Sequence, residues 1–153
     1  MTTNRPETAA VTQLRLVATV DDLDQALAFY RDALGLPVEL DLAGDQGARV
    51  VILDAGRATL ELSNRAQAEL IDEVEVGRRV APRLRVAFQV TEAEATTDRL
   101  VQAGATLIAA PTMTPWNSLN SRLHAPADLQ ITLFEELEPD PGGRSGWEPD
   151  QGS

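Results

Sequence analysis

The chain has 153 residues, of which 43% are hydrophobic, a formal net charge of −11 and no cysteine. Such a length and composition suit one globular domain or two small halves sharing a core. The negative surface disfavours phosphate backbones and hence nucleic acid, whereas cationic ligands would be attracted, although solubility alone accounts for such a charge.

Without cysteine there is no disulfide framework, thiolate metal site or thiol nucleophile. No apolar run approaches the roughly 18 residues that suggest a membrane span. Residues 1–12 lack the basic-then-apolar layout of a signal peptide. A cytoplasmic protein with no membrane partner is expected.

In chain order, residues 1–12 are polar and aperiodic and predict a flexible tail ahead of a single domain over 13–137. Leu14–Val20, rich in β-branched and apolar residues, predicts a strand. Asp21 or Asp22 can cap a following helix whose Leu23, Ala26, Leu27, Tyr30 and Leu34 recur at spacings of three and four. Phe29 and Tyr30 are expected in its core face, and Gly35 marks its end. Three strands are predicted next, over 37–42, 49–54 and 58–63, with turns at 43–47 and 55–57. Residues 64–81 are polar and charged and predict a linker, with a helical turn near Glu69–Val74.

The second half repeats the first. LRLVATVDDLDQALAFYRDALGLPV from Leu14 aligns with LRVAFQVTEAEATTDRLVQAGATLI from Leu84 at a shift of 70, so that Arg15 matches Arg85, Val20 matches Val90 and Asp22 matches Glu92. Leu84–Val90 predicts a strand, Thr91 and Glu94 form a T-x-x-E capping box for the second helix, and Gly104 ends it. Strands follow over 106–110, 120–125 and 130–135, with Ala127 and Asp128 as the last turn. Residues 138–153 are rich in Pro, Gly and acid and predict a second flexible tail. Trp147 is either simply exposed there or docks on a partner subunit. The expected architecture is α+β, two βαβββ modules over 13–63 and 82–137 joined by the linker 64–81.

The string VDDLDQALAFYRDALGLPV, with Asp22, Phe29, Tyr30, Leu34 and Gly35 in place, resembles the opening signature of the vicinal oxygen chelate superfamily of glyoxalases, bleomycin-resistance proteins and extradiol dioxygenases. The ending LQITLFEEL, preceded by TPWNSLNSRL, resembles its last two strands, so the likeness runs from Leu14 to Leu137. It implies a glyoxalase-like half-open barrel whose strands surround a cavity, a small-molecule ligand and a homodimer. A fold of this kind does not by itself assign a function.

The resemblance further implies that metal-using members carry one ligand on the first and one on the last strand of each module. By position these places are Arg15, Glu61, Arg85 and Thr132. Only Glu61 is a metal-ligand type, and guanidiniums repel a divalent ion. The single histidine, His124, cannot supply a two-histidine-one-carboxylate site and reads as a loop or edge-strand residue. No metal and no cofactor are therefore expected.

Arg15, Glu61 and Arg85 admit three arrangements. One arginine pairs with Glu61 while the other is left for an anionic or carbonyl-bearing ligand; the three form a structural brace; or one or both arginines point outward, since one residue of register reverses every side chain. Trp116, Asn117 and Asn120 form either a cavity mouth or a packed turn. The expected ligand-binding set is thus Arg15, Glu61, Arg85, Trp116, Asn117, Asn120 and Thr132. Glu61 is the one candidate catalytic group, as a general base.

Neither a phosphate loop nor a serine-nucleophile motif occurs. Three functions follow: a metal-independent binding protein, as among the drug-resistance members, whose clefts hold aromatic and often cationic compounds; a metal-free lyase, isomerase or hydrolase; or an accessory domain with a vestigial cavity.

Overall fold

The computed structural model describes residues 10–137. Eight strands form one sheet in the order β2-β3-β4-β1-β5-β8-β7-β6. They are β1 (Val11–Val20), β2 (Val38–Ala43), β3 (Arg49–Asp54), β4 (Ala58–Asn64), β5 (Leu84–Val90), β6 (Thr106–Met113), β7 (Ser118–Ala125) and β8 (Leu129–Glu136). The sheet does not close, which makes the half-open barrel of an α+β fold. Each module keeps its first strand parallel to its last, β1 with β4 and β5 with β8, and the modules meet where β1 pairs antiparallel with β5.

Period-two alternation sorts the strand residues onto two faces. Val51, Leu53 and Leu62 face outward against Leu23 and Leu27 of α1 (Leu23–Leu27). Leu123, Ile131 and Leu133 do the same, with Val90, against Ala93 of α3 (Ala93–Gln102). Their neighbours of opposite parity, Val17, Ala87 and Phe134, form a third cluster on the inner face.

Asp22 caps α1 by accepting from the Gln25 N–H at 3.0 Å, as expected. Beyond Leu27 the helix widens into a π-helical stretch over Ala28–Ala33, closed by Leu34 N–H to the Phe29 carbonyl at 2.9 Å. That wider i→i+5 turn shifts the phase of the later residues. Tyr30 still packs on the core, but Phe29 and Leu34, both expected inside, are 62% and 61% exposed.

The second capping box does not form. Glu92 takes the N-cap position, and the free Ala93 N–H is met from across the fold by Glu135 at 2.8 Å. β1 begins inside the expected N-terminal tail, because Val11 pairs with Val90 of β5. The rest of that tail (1–9), the expected C-terminal tail (138–153) and Trp147 lie outside the described residues.

The polar linker contains a full helix, α2 (Arg65–Glu75), rather than one turn. Asn64 caps it by accepting from the Gln67 N–H at 2.9 Å. Helix α2 lies over the inner face of the sheet and is anchored there by Arg122 of β7, which is 0% exposed. Arg122 donates to Asp72 at 2.9 Å, Glu75 at 2.6 Å and Gln130 at 2.9 Å. Asp72 also accepts the Val80 and Ala81 N–H groups, both at 3.0 Å, and Glu75 accepts from Asn120 at 2.7 Å.

Replacing Arg122 with Met strands two carboxylates and is expected to cost roughly 3–5 kcal/mol. Combining it with Asp72→Asn and Glu75→Gln is expected to restore much of that loss. Urea unfolding of the three proteins checks both expectations, and a single-variant loss under about 1 kcal/mol would show that Arg122 does not anchor α2.

Candidate functional site

Between α2 and the inner face of the sheet lies a cavity of about 610 Å³. Two adjacent cross-strand rows cross the inner face beneath it, and all their residues but Thr59 and Arg122 line it. One runs Ile52, Glu61, Val17, Arg85 and the other Thr59, Arg15, Ala87, Thr132, Arg122. Because β1 and β5 are antiparallel and Arg15 pairs with Ala87 as Val17 pairs with Arg85, the two repeat-related arginines share one face. The outward arrangement is thereby excluded: both line the cavity.

Their surroundings differ. Arg15 is well tethered, with Nε donating to Thr59 Oγ1 at 3.0 Å and Nη2 to Gln13 Oε1 at 2.9 Å. Its guanidinium lies 5.0 Å from the Phe134 ring centroid, a cation–π distance, and 3.9 Å from Glu61, a loose ion pair. Arg85 is 7% exposed, and Nη1 donates to Thr132 Oγ1 at 2.7 Å. No carboxylate lies within salt-bridge distance of it among the described residues, so no Arg–Glu–Arg brace forms. Burial first, then the Arg122 charge, push Arg85 below the ordinary arginine range, while Glu61, Glu75 and Asp72 act the other way. Guanidinium still keeps its proton at neutral pH.

All seven residues expected at a site line this one cavity. Asn120 is committed to structure, for its oxygen accepts from Ser118 at 2.8 Å and its nitrogen donates to Glu75. Asn117 holds a turn at φ 62° and donates to the Leu137 carbonyl at 3.4 Å, leaving half-buried Trp116 beside it at the cavity wall. His124 does not line the cavity. It lies half-exposed, 2.8 Å from Asp128.

Sequence reasoning missed the α2 wall, formed by Gln67, Leu70, Ile71, Val74 and Glu75. The available signal was Leu70, Ile71 and Val74 at one-turn spacing within an acidic segment. It also missed Arg122, whose parity with Asn120 places it on the inner face.

The four positions that would carry a metal do not fit one. A divalent ion there would meet two guanidiniums, a hydroxyl already bound to one of them, and a single carboxylate. No group of three or more His, Cys, Asp or Glu suited to a metal occurs among the described residues.

Thr132→Val removes the hydroxyl that receives the Arg85 guanidinium. The expected loss in urea unfolding is about 1–3 kcal/mol, the cost of a buried donor left unmet. An unchanged midpoint would mean that cavity water already satisfies Arg85.

The comparisons with known proteins agree with this fold. The profile of the Glyoxalase/Bleomycin resistance protein/Dioxygenase superfamily matches residues 12–143. Methylmalonyl-CoA epimerase from Mycobacterium tuberculosis is 26% identical with a TM-score of 0.63, covering 88% of this chain and 95% of that one. A variant of Streptomyces coelicolor methylmalonyl-CoA epimerase in complex with 2-nitronate-propionyl-CoA is 22% identical (TM-score 0.59; 84% and 99% covered). A superfamily member from Vibrio splendidus 12B01 is 12% identical (TM-score 0.58; 80% and 97% covered). No curated protein matches the chain. With the profile spanning nearly the whole described region, the chain belongs to the glyoxalase/bleomycin resistance/dioxygenase superfamily.

Proposed function

We propose that this protein binds a small organic molecule in the cavity beneath α2 without using a metal. The observation that carries this reading is the buried Arg85 guanidinium, hydrogen-bonded to Thr132 at a position that metal-using members would give to a metal ligand. A cavity of about 610 Å³ is within the usual range of small-molecule sites. Apolar Leu40, Leu42, Val50, Ile52, Leu70 and Val74 supply contact area, and the polar groups on the floor supply orientation. Among the described residues no helix is long and apolar enough to cross a membrane.

A second reading, an isomerase or lyase, is favoured by the 26% identity to methylmalonyl-CoA epimerase, and the two guanidiniums lining the cavity would make it metal-free. In it Glu61 moves a proton at a ligand carbon. Glu61 faces the cavity with its side chain 15% exposed and held only loosely by Arg15 at 3.9 Å, so a bound molecule can reach the carboxylate. Pairing of two chains belongs to the proposal as well, because among the described residues β2 and β6 each have one partner strand and end the sheet.

Chelator-treated protein is expected to melt at a higher temperature with an organic ligand and unchanged with Mn, Co, Ni or Zn ions. Saturation a hundredfold above the dissociation constant is worth about 2.7 kcal/mol. Stabilisation by a metal ion alone would overturn the metal-independent reading. Glu61→Gln is expected to leave binding intact; if wild type turns the ligand over and the variant does not, the second reading replaces the first. Sedimentation at micromolar concentration is expected to give a dimer, and a monomer there would remove pairing from the proposal.

A further inference from the structure

The two buried guanidiniums on the inner face are treated very differently. Arg122 meets two carboxylates and an amide oxygen. Arg85, also more than nine-tenths buried, meets one hydroxyl. A guanidinium carries five N–H donors, and a buried charge without a counter-ion is expensive.

Two of the three carboxylates near Arg85 are already committed. Both Asp72 oxygens are taken, one by Arg122 and the other by the Val80 and Ala81 N–H groups. Both Glu75 oxygens are taken by Arg122 and Asn120. Glu61 lies on the Arg15 side, at 3.9 Å from it. The remaining donors of Arg85 therefore have nothing from the described protein to meet, and they lie at the cavity floor.

Resting on the small-molecule reading above, we infer that the ligand is an organic monocarboxylate whose carboxylate is received by Arg85 and whose apolar body lies along Leu40, Val50, Ile52, Leu70 and Val74. Charge-assisted, two-pronged pairing is what a guanidinium offers a carboxylate and what it cannot offer an amine. Leu40, Val50 and Ile52 lie on β2 and β3, separated from Thr132 of β8 by β4, β1 and β5, so this apolar stretch is set apart from the polar end of the floor. Asp45, Glu61 and Glu136 also line the cavity. Arg15 is already held by Thr59, Gln13 and Glu61, so one carboxylate is received at Arg85 and a second would meet Asp45, Glu61 or Glu136, which sets a monocarboxylate apart from dicarboxylates and phosphate-bearing molecules. A cationic group placed at Arg85 would instead meet like charge.

The test is calorimetric titration of chelator-treated full chain with octanoate, octanamide, octylamine and octanedioate. Octanoate is expected to bind at least about tenfold more tightly than each of the other three, the least worth of one charge-assisted contact. Arg85→Met is expected to abolish the preference for octanoate over octanamide, with an unchanged circular dichroism spectrum reporting that the fold is intact. Ile52→Trp, which fills the apolar wall, is expected to weaken both.

Octanamide, octylamine or octanedioate binding as tightly as octanoate would overturn the monocarboxylate class and leave the small-molecule reading standing. Octanoate bound equally well by wild type and Arg85→Met would overturn the role of Arg85. Binding of none of the four would overturn this inference, whereas the broader reading falls only if a wider organic panel also leaves the melting temperature unmoved.

Discussion

The antiparallel seam between β1 and β5 is the constraint on which the remaining geometry depends. Leu16 pairs with Val86, and around that point Arg15 faces Ala87 just as Val17 faces Arg85. A seam of this register sends the even-numbered β1 residues Leu16, Ala18 and Val20 outward, Ala18 and Val20 against the core under α1, and sends the two arginines inward. A slip of one residue would exchange the faces, putting guanidiniums beneath the helices and leucines in the cavity. The hydrophobic clusters under α1 and α3 therefore fix the chemistry of the cavity floor as well as the stability of each module.

A second constraint crosses the modules on the other side of the cavity. Helix α2 would be a mobile connection if its acidic residues were simply solvated. Arg122 instead gathers Asp72 and Glu75, and Asn120, Ser118 and Thr114 continue the polar chain along β7. Such a network gives little net stability against an apolar equivalent. What it contributes is position: Leu70 and Val74 are held over Val50 and Ile52, so the cavity acquires an apolar wall. Arg122 Nε has no partner among the described residues, the one unmet atom of this network. The contrast between Arg122, which meets two carboxylates and an amide oxygen, and Arg85, which meets one hydroxyl, is what separates scaffold from site.

The doubled module was legible because local patterns carry it: the Asp22 cap, Gly35 and Gly104 with φ of 86° and 113°, and the shift of 70 between repeats. The family resemblance then singled out Arg15, Glu61, Arg85 and Thr132 but left open whether both arginines point to the inner face, which the register of the β1–β5 seam decides. The pairing within that face was not legible. Arg122 meets Asp72 and Glu75 across 50 and 47 residues, and no local spacing announces such a contact. Helix α2 was hidden for a related reason, since its buried carboxylates made its sequence read as solvated linker. Phe29 and Leu34 were misplaced because a π-helical turn changes the period on which amphipathic reading relies.

The central claim, that Arg85 offers unspent donors in the place of a metal, is tested most directly by its own side-chain resonances. Nitrogen–proton NMR of the Arg85 guanidinium should be recorded on chelator-treated protein during titration with a carboxylate, with Arg85→Lys fixing the assignment. The account predicts fast-exchanging Arg85 signals in the free protein that sharpen and shift as the carboxylate saturates, while those of Arg122 stay fixed. Arg85 signals already protected without ligand, or moving only when a divalent ion is added, would contradict it.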